Sequence, residues 1–168
     1  TTPTMDGWDV FLSHNSAAKA WVKELAARLE SEPFDDSRNI RVFLDVWDIP
    51  AGANIVMKLN EGLAKARFLA IVMSPEFFKS NWTALEWTHW VMGDPVNTQG
   101  RILPILYRKA SLDKKEAISF PAPFRASRYL DFTSKKAATV FYAELLSRIR
   151  GQPTPRGERH QSTRFTVA

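Results

Sequence analysis

The sequence contains no cysteine among its 168 residues. Disulfide bonds, thiolate metal sites and cysteine nucleophiles are therefore excluded, and the composition is compatible with a reducing compartment. No apolar run is long enough for a transmembrane helix, and no signal-peptide pattern opens the chain. We therefore expect a cytoplasmic protein that does not depend on a membrane.

Common nucleotide and metal motifs are missing as well. The chain has neither a Gly-x-Gly-x-x-Gly fingerprint nor a Walker loop, so a bound nucleotide must be held in another way. A Glu-x-x-His pattern, Glu86 to His89, occurs once, whereas a di-iron bundle needs two such patterns. We therefore expect neither a metal nor a resident cofactor.

Positive charge is in excess, but it is not concentrated in one stretch. The formal net charge is +5, and part of it lies in the tail at Arg156, Arg159 and Arg164. A surface for nucleic acid is usually a continuous basic face. Nucleic acid is therefore not an expected partner of this domain.

Short apolar runs bounded by turn residues predict five β-strands. These runs are residues 8–13, 40–44, 67–73, 102–107 and 129–132. The third is apolar from Phe68 to Met73, as is typical of a strand covered on both faces. Pro104 removes a ladder hydrogen bond from the fourth, which predicts a bulge or a local irregularity.

Apolar residues at helical spacing predict helices between these strands. The first helix follows Ser16, a candidate N-cap, and the second covers residues 55–66. A third begins after Ser74 and runs to about Met92, and the last is capped by Ser134 and ends at Gly151. The order of elements is therefore a repeated strand and helix.

This alternation predicts an α/β fold with a parallel sheet and helices on both faces. A flavodoxin-like three-layer sandwich with strand order 2-1-3-4-5 fits best. One domain is expected over residues 8–151, because 168 residues with 45% hydrophobic content fill a single core. Residues 1–7 are expected to be a flexible lead, and the polar residues 152–168 a linker toward an absent domain.

Three segments follow the carboxyl ends of predicted strands, where such sheets bind ligands. They begin at His14, at Asp45 and at Ser74. In the third, Trp82 and Glu86 are four residues apart, so a helix would stack them on one face. An aromatic ring beside a carboxylate can hold a planar ligand and a developing positive charge. We predict a reaction centre there.

The same segments resemble a TIR (Toll/interleukin-1 receptor) domain of the bacterial type. Residues 8–14 resemble the first sequence box of that family, and residues 45–52 resemble the second box with its loop. Ser74 followed by Ser80, Trp82 and Glu86 resembles the signature of the NAD-cleaving members. Residues 129–132 resemble a late strand of the bacterial members, and the match extends over residues 8–151.

The resemblance implies hydrolysis of NAD+ between nicotinamide and ribose, with NAD+ as substrate and sometimes with cyclisation of the product. By matching, Glu86 is the catalytic residue. The implied substrate-binding residues are Trp82, His14, Asn15, Asp45, Asn54 and Ser74.

The resemblance also implies activation by homotypic TIR–TIR assembly, triggered by a sensor domain on the same or a partner chain. The implied assembly loop contains Trp47, Asp48, Ile49, Pro50 and Gly52. In the animal receptors an arginine stands where this chain has Trp47, so receptor-style adaptor contacts are not expected. A role in bacterial defence against phage follows from the family alone.

Two other functions remain open. One is a TIR interaction module without catalysis, which would need the loop 45–52 but not Glu86. The other is a nucleoside deoxyribosyltransferase-like enzyme, which shares the fold type and the glycosidic chemistry. The presence of Trp82 and Glu86 in one predicted helix favours the NAD+ enzyme over both.

Overall fold

A parallel β-sheet of five strands organises the molecule. The computed structural model describes residues 7–14, 18–44, 51–52, 54–73, 100–108 and 128–153. The strands are β1 (Trp8–Ser13), β2 (Val42–Phe43), β3 (Ala66–Met73), β4 (Ile102–Leu106) and β5 (Leu130–Asp131). Their order is β2-β1-β3-β4-β5 and all neighbouring pairs are parallel, so the predicted topology is confirmed.

Three described helices cover the two faces of this sheet. They are α1 (Lys19–Glu30), α2 (Ile55–Lys65) and α3 (Lys135–Arg150). Buried side chains of α1 and α3, such as Val22 and Phe141, belong to one core cluster. Leu59 and Leu63 of α2 belong to a second cluster on the opposite face. The described elements therefore form the predicted three layers.

Strand β3 shows why both faces are covered. Ala70 and Val72 lie in the cluster with α1 and α3, whereas Leu69, Ile71 and Met73 lie in the cluster with α2. All five are fully buried. Successive strand residues point to opposite faces, so an uninterrupted apolar run needs helices on each side.

The ends of α3 follow local capping rules. Ser134 caps α3 by accepting a 3.1 Å hydrogen bond from the backbone N–H of Ala137. Gly151 ends the same helix in the left-handed conformation, with φ of 70°. The residue before α1 is Ala18, which makes no side-chain capping bond, and the predicted cap Ser16 lies outside the described residues.

Strand β2 is shorter than predicted. Only Val42 and Phe43 pair with β1, although residues 40–44 were expected to be a strand. Two side-chain carboxylates accept from backbone N–H groups at this strand. Asp9 accepts from Arg41 N at 2.8 Å, and Glu30 accepts from Val42 N at 3.3 Å. At Arg41 a side-chain acceptor thus takes the N–H that an extended ladder would use, whereas Val42 keeps its pairing with Val10.

The predicted irregularity at Pro104 was also wrong, because β3 and β4 pair without interruption through Ile71 and Pro104. The O atom of Arg101 faces β3 and that of Leu106 faces β5, as their hydrogen bonds show. Alternation along the strand therefore turns the nitrogen of Pro104 toward β5. Since β5 first pairs at Leu130, the missing N–H interrupts neither ladder.

Candidate active site

The carboxyl edge of the sheet brings together the starts of the three predicted site segments. Strand β1 lies between β2 and β3, so the chain leaves the sheet at three adjacent points. These points follow Ser13, Phe43 and Met73. The sequence-based expectation that the segments begin side by side is met by this order.

His14 follows β1 directly. Its side chain belongs to the small group of buried polar residues, with 4% of the residue exposed, and Ser13 before it is 1% exposed. The central position of β1 and the packing around it therefore fix where the imidazole sits. Its predicted contact with the nucleotide stays a prediction.

Asn54 lies at the start of α2 and has a clear local role. Its side-chain oxygen accepts a 3.1 Å hydrogen bond from the backbone N–H of Met57, which caps the helix. The residue is exposed at the carboxyl edge. The predicted substrate contact must therefore be made by an amide whose oxygen is already held by the helix.

Gly52 precedes this cap by two residues and has φ of 83°. This left-handed conformation is strained for a residue with a side chain, whereas glycine adopts it at little cost. Within the part of the chain that the structure describes, a Cβ atom built at Gly52 would meet no other atom within 4 Å. The backbone conformation, and not crowding, accounts for glycine at the end of the predicted assembly loop.

Most of the predicted site lies outside the described residues. This holds for Asn15, Asp45, Ser74, Trp82 and Glu86. It also holds for the predicted loop residues Trp47, Asp48, Ile49 and Pro50, and for the helix predicted from Ser74 to about Met92. Their predicted roles stay predictions.

The packing of α2 against β2 sets the two ends of the loop between them. The Phe43 ring stacks on Phe11, with ring centroids 4.6 Å apart and planes 13° apart. Gly62 of α2 faces this ring so closely that a Cβ atom would lie 2.8 Å from Phe43 Cε2. The absence of a side chain at Gly62 thus lets the helix approach the strand that precedes the loop.

Sequence reasoning missed an aromatic and cationic cluster at the same edge. Trp21 of α1 lies 5.3 Å from Tyr107 and 5.7 Å from Phe132, measured between ring centroids. The Arg108 guanidinium carbon lies 4.8 Å from the Tyr107 centroid. The available signal was an aromatic residue directly after each of the last two strands.

The described ranges contain no group of three His, Asp or Glu residues that could hold a metal ion. The helices described there include none with the length and apolar character needed to cross a bilayer.

Comparison with known proteins agrees with the resemblance to a TIR domain. A family profile described as the TIR domain matches residues 10–146. A Brucella abortus (strain 2308) protein named "Probable 2′ cyclic ADP-D-ribose synthase TcpB" is 31% identical over 150 residues, covering 89% of this chain and 56% of that protein. The NAD(+) hydrolase TirS of Staphylococcus aureus (strain MSSA476) is 27% identical over 145 residues, covering 83% and 48%.

The fold is also similar to a solved structure. The TIR domain of the Toll-related receptor TRR-2 from Hydra magnipapillata superposes with a TM-score of 0.63 at 25% identity, covering 85% of this chain and 98% of that one. This chain spans about half the length of the curated relatives named above, which are 56% and 48% covered.

Proposed function

Because this chain belongs to the TIR-domain family, we propose that it cleaves NAD+ between nicotinamide and ribose. The observation that carries the proposal is its similarity to curated relatives. They are 31% and 27% identical and are named as a 2′ cyclic ADP-D-ribose synthase and an NAD(+) hydrolase. The products are nicotinamide and either ADP-ribose or a cyclic isomer.

A single carboxylate is sufficient for this reaction. The nicotinamide of NAD+ is a cationic pyridinium, so it departs as a neutral molecule with the electrons of the broken C–N bond and needs no proton. Most glycosidases, by contrast, expel a poor leaving group that must be protonated, so they use two carboxyl groups, one of them as the acid. Water then adds to the ribose carbon and releases a proton, or a hydroxyl of the same substrate adds and closes a ring.

Glu86 is the residue proposed for this role. Its carboxylate stabilises the positive charge that develops on the ribose and orients the ribose hydroxyls. Trp82, one helical turn earlier in the predicted helix, shapes the pocket or faces the pyridinium ring. Such a cation–π contact contributes on the order of 1–2 kcal/mol.

The remaining substrate contacts come from the three segments that follow the strands. We assign them to His14, Asn15, Asp45, Asn54 and Ser74. The order of β2, β1 and β3 supports this assignment, because it places the starts of these segments next to each other. Ligands of open parallel sheets bind at this edge.

Self-assembly is the proposed activating step. The loop that contains Trp47, Asp48, Ile49, Pro50 and Gly52 contacts a second copy of this domain, and a sensor domain on the same or a partner chain triggers the association. Its biological role is then the depletion of NAD+ or the production of a nucleotide signal in defence against phage.

The test is nicotinamide release from NAD+ by this chain over a series of protein concentrations, beside Glu86→Gln. The substitution removes the negative charge and keeps the size of the side chain. We expect a loss of at least about 100-fold in kcat, as for other groups that act mainly in the transition state. Glu24→Gln is the matched control, because Glu24 is an exposed residue of α1.

Four outcomes separate the possible functions. Activity in the wild type and in Glu24→Gln, but not in a folded Glu86→Gln variant, supports the proposal. Equal activity in all three contradicts the role of Glu86. Base exchange on nucleosides without action on NAD+ indicates a deoxyribosyltransferase, and association without any turnover, even with the sensor and its trigger, indicates a binding module.

A further inference from the structure

An arginine stands at the carboxyl edge of the sheet, just beyond the end of β4, the strand that neighbours β3. Arg108 is two residues beyond the end of β4. Leu106, the last residue of β4, pairs with Met73 at the end of β3 and with Asp131 at the end of β5. Arg108 therefore lies at the edge where the segment with Glu86 leaves β3.

The guanidinium group of Arg108 rests on a braced aromatic ring. Its carbon lies 4.8 Å from the centroid of Tyr107, and Tyr107 packs against Trp21, which in turn contacts Phe132. Trp21 of α1 thus braces the ring on which the arginine lies, and Phe132, which follows β5, braces Trp21. An arginine restrained in this way loses less conformational entropy when it binds an anion. Arg108 is also exposed, so a ligand can reach it from solvent.

The helix ends at this edge favour a negatively charged ligand. Helices α1, α2 and α3 each follow a strand, so their positive N-terminal ends lie at the carboxyl edge. None of them has an acidic residue in its first turn, and α1 and α3 begin with Lys19 and Lys135. Acidic residues at these positions would stabilise the helices, so helix stability does not explain their absence.

The opposite edge of the sheet behaves as helix stability requires. The last turns of the same helices carry Arg28, Lys65, Arg148 and Arg150, which complement the negative helix ends. The positive residues at the two edges therefore have different electrostatic effects on the helix ends. Only those at the carboxyl edge add to the positive potential of the helix ends instead of balancing a negative one.

We propose that Arg108 binds the diphosphate of the dinucleotide substrate, an inference that rests on the proposed function. A guanidinium can donate two parallel hydrogen bonds to phosphate oxygens, which fixes orientation as well as adding affinity. The diphosphate does not react when the nicotinamide bond breaks. Arg108 is therefore a positioning residue for the substrate, and its contribution is to binding and not to the bond-breaking step.

The experiment compares wild type, Arg108→Ala and Arg108→Lys in nicotinamide release from NAD+. We expect Arg108→Ala to raise KM about tenfold and to leave kcat within about twofold, because the lost contact is equal in ground and transition states. Arg108→Lys keeps the charge but not the planar fork, so it recovers part of the loss. Arg128→Ala is the matched control, since Arg128 is an exposed arginine that precedes β5 at the other edge.

A binding measurement separates this inference from the proposed function. ADP-ribose contains the diphosphate and adenosine does not, so calorimetric titration with each compound reports the contact without any turnover. Arg108→Ala should weaken ADP-ribose about tenfold and leave adenosine unchanged. An active wild type whose KM and ADP-ribose affinity survive Arg108→Ala overturns the inference alone. A wild type that binds ADP-ribose through Arg108 but releases no nicotinamide, even with the sensor and its trigger, overturns only the proposed function, and one that does neither under these conditions overturns both.

Discussion

Arg38 donates two hydrogen bonds to the buried carboxylate of Asp9, from Nη1 at 2.7 Å and from Nη2 at 2.9 Å. Asp9 is 1% exposed and also accepts the backbone N–H of Arg41 at 2.8 Å. Hydrogen bonding to Asp9 is the largest cause that raises the pKa of Arg38. This contact fixes the segment that enters β2, and β2 leads into the predicted assembly loop.

Removing the guanidinium should therefore destabilise the fold. Arg38→Ala leaves Asp9 buried with Arg67, whose nitrogen is 3.5 Å away, as its remaining cation in the described part of the chain. We expect a loss of about 3 kcal/mol in the free energy of unfolding, measured in urea, because a buried charge loses its main partner.

The control for this prediction is Lys58→Ala. Lys58 forms a 3.4 Å ion pair with Glu61, but both side chains are more than 40% exposed, at 43% and 49%. Exposed pairs contribute little, so the unfolding curve should barely move. If Arg38→Ala shifted the unfolding curve no more than Lys58→Ala does, the buried ion pair between Arg38 and Asp9 would contribute no more to stability than an exposed pair.

The sequence predicted the order of strands because that order depends on local patterns and on the handedness of crossovers. Lengths of strands were predicted less well, and β2 shows the reason. Arg41 does not extend the ladder, because its N–H is taken by the side chain of Asp9, which is distant in sequence. Competition from side-chain acceptors that fold back onto an edge cannot be inferred from periodicity.

In the candidate site, too, features that depend on local sequence were predictable and contacts between distant residues were not. The positions of His14 and Asn54 after a strand and before a helix were predictable, since both follow from the alternation of elements. The contact of Trp21 with Tyr107 was not, because it joins α1 to a residue that follows β4. Helical periodicity could indicate that Trp21 is partly buried, but not which ring it would meet.

Gly62 offers a second test of how α2 is held against the sheet. Gly62→Ala should destabilise the protein by about 1–3 kcal/mol, because the new methyl group would lie 2.8 Å from Phe43 Cε2. The sign of this change in stability is informative, because alanine normally stabilises the interior of a helix relative to glycine by about 1 kcal/mol. Urea unfolding measures the change.

Phe43→Leu provides the matching partner for a double-mutant cycle. The smaller side chain should relieve the clash, so the double variant should be more stable than the sum of the two single changes predicts. Additive effects, or a more stable Gly62→Ala protein, would show that the helix can shift at no cost.

Asn54 allows its capping role to be separated from its proposed role in binding NAD+. Asn54→Ala removes the acceptor of the Met57 N–H bond and should cost about 1 kcal/mol in unfolding free energy. Asn54→Ser keeps a capping oxygen but shortens the side chain and removes its amide group. It should therefore unfold like wild type while raising KM for NAD+, if the amide also contacts substrate.

The comparison of Asn54→Ser with Asn54→Ala distinguishes a capping role from a contact with NAD+. A raised KM in Asn54→Ser, at unchanged stability, can only come from a contact with substrate, because the cap is preserved. Wild-type kinetics in Asn54→Ser with reduced stability in Asn54→Ala would limit the residue to capping α2. Wild-type stability in Asn54→Ala would contradict the capping contribution itself, since the exposed Met57 N–H would then be satisfied equally well by water.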